Sequence, residues 1–302
     1  MLYCRNRLMA FLLMFMTWAG TAFSADFRDV KAFGDGFVAV SGNGDIVFTD
    51  ANGNSLKTIH VDRLKANAVA VHGNVVYAAG KDGRMVSVTD GKVRQIENSG
   101  PDINAMTIMG NRLFAACGQG KVLVMDLPGG KPRPVETGTG QNLIDISAAA
   151  GVCYALTAQG LIMSSTDGRS WKRFDFNQNY ADFYDSTTFT CICASDNSVY
   201  AAGVAENGYP RVYTSVKGMV WSQRGLSFTQ DGLHQELDAM PLGMCYDAQA
   251  DRYIMCCTDG VVFFMPGCTH CNSIEYRLAG DLESVAINGR SVIAAGEGDY
   301  LE

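Results

Sequence analysis

Several features that would place this chain in a familiar class are missing from it. Beyond the first 24 residues, no segment shows an apolar period of 3.6 over a helical length, which argues against a helical domain. No apolar run reaches the roughly 20 residues of a membrane-spanning helix. Basic residues are scarce, with 24 Lys and Arg against 31 Asp and Glu. A surface of that sign repels the phosphates of nucleic acid and anionic lipid, so neither is an expected partner.

Recognisable catalytic and metal motifs are missing too. The chain has no Gly-x-Ser-x-Gly nucleophile turn and no glycine loop that would cradle a phosphate, and we predict no cofactor. Cys-Thr-His-Cys at 268–271 is the sharpest metal or redox pattern, but a structural zinc site usually needs a second such pair, which is absent. We therefore interpret Cys268 and Cys271 as a local disulfide, with free thiols or a metal as alternatives.

The first 24 residues have the order of a secretory signal peptide. Arg5 and Arg7 precede an apolar stretch over residues 8–18, and the small residues Ala22 and Ser24 follow. Cleavage after Ser24 leaves 22 basic residues against 31 acidic ones, a net charge of −9. The sequence predicts an exported protein, periplasmic or secreted, that is soluble and monomeric.

A repeat of about 40 residues organises the rest of the chain. Each copy begins with a short apolar run, turns at Gly or Asp-Asn, and continues with a second run that often ends in Ala-Gly. From Val69 to Ile192, successive anchors of the first run lie 37, 40 and 46 residues apart. The aligned anchors of the first run are Val69, Met106, Ile146, Ile192 and Val285, and those of the second are Tyr77, Phe114, Tyr154, Tyr200 and Ile293.

Period-2 alternation between glycine turns indicates a β-meander, and four short strands in about 40 residues are typical of a propeller blade. The sequence therefore predicts an all-β chain in which residues 25–302 form one β-propeller of four-stranded antiparallel blades. Seven blades are expected, with six as the alternative, and the last blade is short. A β-sandwich or barrel and a β-solenoid are the rival folds.

One turn carries a family resemblance. Ser-Ser-Thr-Asp-Gly-Arg-Ser-Trp at 164–171 resembles the Asp-box of the bacterial neuraminidase repeat (BNR-like) family, and the repeat plan looks like that of the photosystem-II-stability-factor-like propellers. The resemblance implies structural roles for Ser165, Asp167, Gly168 and Trp171. Residues 214–221 keep the Ser, Gly and Trp but have Lys217 in place of Asp. Sialidases also carry these boxes, but their Arg-Ile-Pro motif is absent here.

Three insertions mark where a function is expected. They cover residues 177–187, 205–210 and 225–240, and antiparallel blade topology brings their loops to one face near the fifth blade. Long loops of this kind are either tolerated surface insertions or binding sites. The candidate ligand-binding residues are Tyr180, Asp182, Phe183, Tyr184, Asp185, Glu206, Tyr209, Arg211, Phe228, Asp231, His234 and Glu236.

Two functions fit this aromatic and acidic face. The first is a non-enzymatic binding or assembly module for a protein or glycan, with Tyr184 and Tyr209 as loop-tip anchors whose replacement by Ala weakens binding. The second is an exported glycoside hydrolase acting on glycan or peptidoglycan, which needs two carboxyl groups at a suitable separation. We favour the binding module because no such pair is evident in the sequence.

Overall fold

The structure is a computed structural model of the chain. It describes residues 26–230, 233–236, 238–258, 260–264, 266, 272–275 and 281–296. For residues 228–230, 233–236, 262–264 and 272–275 only the backbone is described.

The described residues form a series of antiparallel sheets, each a meander of consecutive strands. The strands of blades one to three are β1 (Phe27–Phe33), β2 (Gly36–Ser41), β3 (Asp45–Thr49), β4 (Ser55–His60), β5 (Ala66–His72), β6 (Val75–Gly80), β7 (Met85–Thr89), β8 (Lys92–Ile96), β9 (Ile103–Met109), β10 (Arg112–Cys117), β11 (Lys121–Asp126) and β12 (Arg133–Glu136). Short 3-10 turns at Lys81–Gly83 and Gly118–Gly120 join the second and third strands of blades two and three.

The second half of the chain continues the series and adds two elements between sheets. Blade four consists of β13 (Leu143–Ala149), β14 (Val152–Thr157), β15 (Leu161–Ser165) and β16 (Lys172–Asp175), and the helical turn α1 (Phe176–Asn179) follows it. Blade five consists of β17 (Thr187–Ala194), β18 (Val199–Ala205), β19 (Pro210–Ser215) and β20 (Ser222–Arg224), and the hairpin of β21 (Ser227–Gln230) and β22 (Leu233–Glu236) follows it. Blade six consists of β23 (Pro241–Asp247), β24 (Arg252–Cys257), β25 (Gly260–Phe264) and β26 (Asn272–Glu275), and blade seven of β27 (Leu282–Asn288) and β28 (Ser291–Gly296).

Burial within a blade falls from the inner strands to the outer one. Every residue of β2 is buried, whereas nearly all of β4 is exposed. The inner strands have both faces covered by neighbouring blades, which is why their sequences are almost continuously apolar. The Ala-Gly ending of the second run also has a steric reason, since a β-carbon on Gly80 would lie 1.8 Å from the Lys65 carbonyl oxygen.

The first strands of the seven blades contact one another in cyclic order, and β27 contacts β1 to close the ring. Side chains make this last junction. Ser284 Oγ donates to Asp29 Oδ1 at 2.7 Å, and Arg28 Nη1 pairs with Glu283 Oε1 at 2.5 Å. Asn288 Nδ2 donates to the carbonyl oxygens of Gly34 and Gly36 at the other end of the strand.

The predicted fold is confirmed. The chain is an all-β propeller of four-stranded antiparallel blades, with six full blades and a seventh of two strands among the described residues. In that part of the chain, no helix has the length and apolar character needed to cross a membrane.

Candidate functional site

The first insertion, residues 177–187, is anchored between blades four and five together with the preceding Phe176. Its helical turn buries Phe176 completely, and the ring centroid lies 4.4 Å from that of Tyr213. Asn177 fastens the turn to the start of blade five, because its Nδ2 donates to Thr187 O at 2.9 Å and its Oδ1 accepts from Thr187 N at 3.0 Å. One buried ring and one amide therefore hold this loop in place.

Tyr180 and Tyr184 cover the outer edge of blade five. The Tyr180 hydroxyl accepts a hydrogen bond from Trp221 N at 2.7 Å, and the Tyr184 hydroxyl accepts from Gln223 N at 3.3 Å. Both rings pack against Phe176, with centroid distances of 5.0 and 6.1 Å. An edge strand that offers unpaired N–H groups needs such cover.

These contacts give Tyr180 and Tyr184 a structural role. Both are half-buried and their hydroxyls accept hydrogen bonds from the backbone of blade five, and a ligand-binding role for them stays a prediction. Substitution of Tyr184 by Ala is therefore expected to lower stability.

The second insertion, the turn that follows β18, is joined to the first. Asn207 Nδ2 donates to Asp185 Oδ2 at 2.9 Å, and Glu206 N donates to the Ser186 carbonyl oxygen at 3.0 Å. The Arg211 guanidinium lies 3.8 Å from the same Asp185 oxygen. The structure thus brings the first two insertions together around one carboxylate.

Two aromatic side chains of these insertions remain in solvent. Phe183 is 75% exposed and Tyr209 is 62% exposed, and the Arg211 guanidinium lies 5.9 Å from the centre of the Tyr209 ring. We call the outward residues of the two insertions, together with the adjoining Arg211 of β19, the loop surface. Its members are Asp182, Phe183, Asp185, Glu206, Asn207, Tyr209 and Arg211.

The third insertion forms the hairpin of β21 and β22, in which Phe228 pairs with Gln235 and Thr229 with His234 along the backbone. Asp231 lies outside the described residues, and the side chains of Phe228, His234 and Glu236 are likewise outside them. Their assignment to a binding face stays a prediction.

The turn at 165–170 is a closed hydrogen-bond unit. Asp167 Oδ1 accepts from the backbone N–H groups of Arg169 and Ser170, both at 2.8 Å, and from Ser165 Oγ at 3.1 Å. These bonds, led by that of Ser170 N, lower the pKa of Asp167 to about 2. The Oδ1 atom of Asp167 is thus engaged within its own turn. Trp171 packs beside the apolar cluster between blades three and four.

A central cavity of about 710 Å³ runs along the axis of the ring and is lined by the first strands of all seven blades. Two aspartates in its wall bridge adjacent blades. Asp29 Oδ2 accepts from Val69 N at 2.9 Å, and Asp145 Oδ2 accepts from Ile192 N at 2.7 Å. Each also accepts the N–H of the residue that follows it.

The same first strands share a feature that the sequence alone did not reveal. Every one carries a bulge near its start, at Arg28, Asn67, Asn104, Ile144, Thr190, Leu242 and Glu283. A residue in a bulge is not paired with the neighbouring strand, and its side chain points in a different direction from that of a regular strand residue. Asn67 and Asn104 use this freedom to donate to carbonyl oxygens of the next blade, at 3.0 and 2.7 Å.

The polar groups of the cavity therefore join blades to each other. Burial raises the pKa of Asp145 to about 6, against the opposing effect of its two N–H donors. Because its oxygens are already engaged, we place the candidate site at the loop surface and not in the cavity.

Several cysteines in the described part of the chain have free thiols, and of those named here all but Cys245 are buried. They include Cys117, Cys153, Cys191, Cys193, Cys245 and Cys256. Burial raises the pKa of the Cys117 and Cys245 thiols to about 12, so these sulfurs are unreactive small hydrophobes. Cys268 and Cys271 lie outside the described residues, and their pairing stays a prediction.

Comparison with known proteins supports the fold. The WD40 propeller domain of Doa1 superposes with a TM-score of 0.71 at 12% identity, covering 93% of each chain. YCF48 bound to a D1 peptide gives a TM-score of 0.69 at 13% identity over 92% of each chain. The designed protein Ika8 gives 0.62 at 12% identity, over 93% of this chain and 96% of the other.

The chain has the β-propeller fold. Similarity at this level of identity concerns the fold alone. No model of a protein family matches the sequence, and no curated protein matches it. Membership of the Asp-box family is therefore not shown.

Proposed function

We propose that this chain is an exported, non-enzymatic propeller that binds a protein segment or a glycan through the loop surface of blade five, as a binding or assembly module. One observation carries the proposal. Two insertions meet at Asp185 and leave Phe183 and Tyr209 in solvent, while Tyr180 and Tyr184 of the same segments are used to fix them in place.

Pre-ordering of these loops favours binding. A loop that is already held by buried rings and backbone hydrogen bonds loses little conformational freedom when a partner docks. Exposed aromatic side chains on such a scaffold are the usual anchors of an interface. The carboxylates of Asp185 and Glu206 and the guanidinium of Arg211 surround these anchors and offer acceptors and donors to a polar ligand.

The exposure of the acids favours binding over glycoside hydrolysis. A glycosidase holds its acid in an apolar enclosure next to a second carboxyl group. Asp182, Asp185 and Glu206 are all exposed, and Asp185 is already engaged by Asn207 and Arg211. None of the three has the surroundings that this chemistry requires.

Structural neighbours are consistent with a binding role. The propeller YCF48 has been solved with a D1 peptide bound, so a propeller of this overall shape can present a surface to a peptide. The low identity transfers neither that peptide nor its contacts to the present chain.

The test is a screen of the protein from Ala25 onward against a glycan array and a tiled peptide array, repeated with the double variant F183S/Y209S. The matched control is L56S, which removes a side chain that is 71% exposed on the outer strand of blade one. We expect ligands whose signal is lost in F183S/Y209S and kept in L56S. Ligands retained equally by all three proteins, or a complete lack of ligands, would contradict the proposal.

A further inference from the structure

A second surface on blade five exposes apolar side chains. The turn between β19 and β20 holds Val216, Met219 and Val220 in solvent, with exposures of 75%, 65% and 76%. The turn itself is firm, because the Trp221 indole is buried and its Nε1 donates to Gly218 O at 3.1 Å. The three apolar side chains thus project from a rigid base.

Blade four contains the same turn and serves as an internal comparison. Ser165 Oγ accepts from Gly168 N, and Ser215 Oγ accepts from Gly218 N, both at 2.8 Å. The two glycines have φ of 69° and 71°. Each lies against an aromatic ring of the preceding blade, so that a β-carbon would stand 2.5 Å from Phe114 or 2.6 Å from a Tyr154 ring atom.

The outward positions of the two turns nevertheless differ in chemistry. Blade four has Thr166, Asp167, Arg169 and Ser170 where blade five has Val216, Lys217, Met219 and Val220. Since the backbone forms equally well with the polar set, the fold does not require apolar side chains here. Rigidly held apolar groups that the fold does not need mark an interaction surface.

The charge around this turn is opposite to that of the whole chain. Residues 214–224 contain Lys217 and Arg224 and no acid, in a protein of net charge −7. Lys172 and Arg173 are exposed on the outer strand of blade four. That strand lies near the turn, as two contacts show. Gly218 of the turn packs on the Tyr154 ring, and Ser164 pairs in the sheet with Tyr154 on one side and with Lys172 on the other.

We propose that this turn, with the basic side chains beside it, binds an acidic, apolar segment of a partner protein. Apolar residues of the segment cover Val216, Met219 and Val220, and its carboxylates face the nearby cations. Methionine suits such a surface because its flexible thioether adapts to different partners. The turn follows the third strand of blade five and the second insertion follows its second strand, so these two segments lie at opposite ends of β19. The first insertion reaches the edge of the turn, where the Tyr180 hydroxyl accepts from Trp221 N.

A protein segment fits better than a lipid bilayer. The exposed tip has no Trp or Tyr, the residues that favour the membrane interface. The negative charge of the rest of the chain would also be repelled by an anionic membrane.

The test uses defined probes. Wild-type protein is titrated with synthetic peptides in which Glu alternates with Leu, Glu with Ser, or Lys with Leu, and with vesicles of phosphatidylcholine and phosphatidylglycerol in equal parts. The key variant places the blade-four residues on the blade-five turn, as V216T/K217D/M219R/V220S. Because blade four already forms this turn with those residues, the graft is expected to fold, and a thermal melt verifies it.

We expect the Glu/Leu peptide to bind most tightly, and the graft to weaken it by about tenfold or more. K217D alone, which reverses one charge, should weaken binding of the Glu/Leu peptide and should not weaken binding of the Lys/Leu peptide. The variant Y209S should bind as the wild type does, which separates this surface from the loop surface because Tyr209 and the turn lie at opposite ends of β19. Equal binding by wild type and graft, binding of vesicles alone, or no binding of the Glu/Leu peptide would overturn the proposal.

Discussion

Replacement of Tyr180 by Phe tests the structural role assigned to the first insertion. The change removes the hydroxyl that accepts from Trp221 N at 2.7 Å and keeps the ring against Phe176. A part-buried backbone N–H without a partner costs about 1–3 kcal/mol, and water at the edge of the blade offsets some of this. We expect a loss of about 1–2 kcal/mol in the free energy of unfolding, which lowers Tm by roughly 2–6 °C for a chain of this size.

Two further variants should lower the free energy of unfolding by different amounts, so that the three variants can be ranked. Tyr180→Ala also removes ring packing and should cost about 3–4 kcal/mol. Tyr184→Phe loses a longer bond, 3.3 Å to Gln223 N in an exposed setting, and should cost less than about 1 kcal/mol. Thermal melts followed by circular dichroism rank the three. If Tyr180→Phe melts as the wild type does and instead weakens ligand binding, the assignment of Tyr180 to the packing is refuted.

Other predictions concern the blade junctions and the blade-four turn. Burial raises the pKa of Asp145 to about 6, above its unfolded value of 3.8, so its contribution to stability is present below about pH 4 and is lost as the pH rises through 6. The Tm advantage of wild type over D145N should therefore shrink between pH 4 and pH 7. For Asp167 the pKa is lowered to about 2, so the advantage of wild type over D167A should be present above pH 4 and vanish as the pH falls through 2. Glu283→Gln breaks the ion pair with Arg28 between blades seven and one, and should cost about 1 kcal/mol, less in high salt, as measured by urea titration.

The fold was predictable from sequence because a repeated unit shows the same physical constraint several times. Anchors such as Val69, Met106 and Ile146 recur because each first strand is buried on both faces by neighbouring blades. Glycine recurs in the hairpins for a local reason. Gly73 and Gly110 have positive φ at the first position of two-residue loops, as expected for glycine there.

The insertions were located from sequence, but the roles of their residues were not. Tyr180 and Phe183 are aromatic neighbours in one loop, and only the position of the blade-five edge decides which is buried. That edge is more than 35 residues away along the chain. The blade-joining roles of Asp29 and Asp145 were also missed. Their signal was present, since an acid inside an apolar first strand stands where other blades have Ala68 and Ala105.

The apolar turn of blade five was visible in sequence only as a defective copy of a motif. Lys217 stands where the motif has Asp. The exposure of Val216, Met219 and Val220 depends on the backbone conformation of the turn, which the sequence did not reveal. The polar copy of the turn in blade four shows that this conformation does not need apolar side chains.

The central claim is that blade five binds its partner through exposed aromatic side chains held on a rigid loop. The most direct measurement is the affinity of a ligand from the array screen for wild type, Phe183→Ser, Tyr209→Ser and Tyr180→Phe, with Tm measured on the same samples. We predict that Phe183→Ser and Tyr209→Ser each weaken binding by about 1–3 kcal/mol and leave Tm unchanged, whereas Tyr180→Phe lowers Tm and leaves affinity within about 0.5 kcal/mol. Unchanged affinity in both serine variants would contradict the claim.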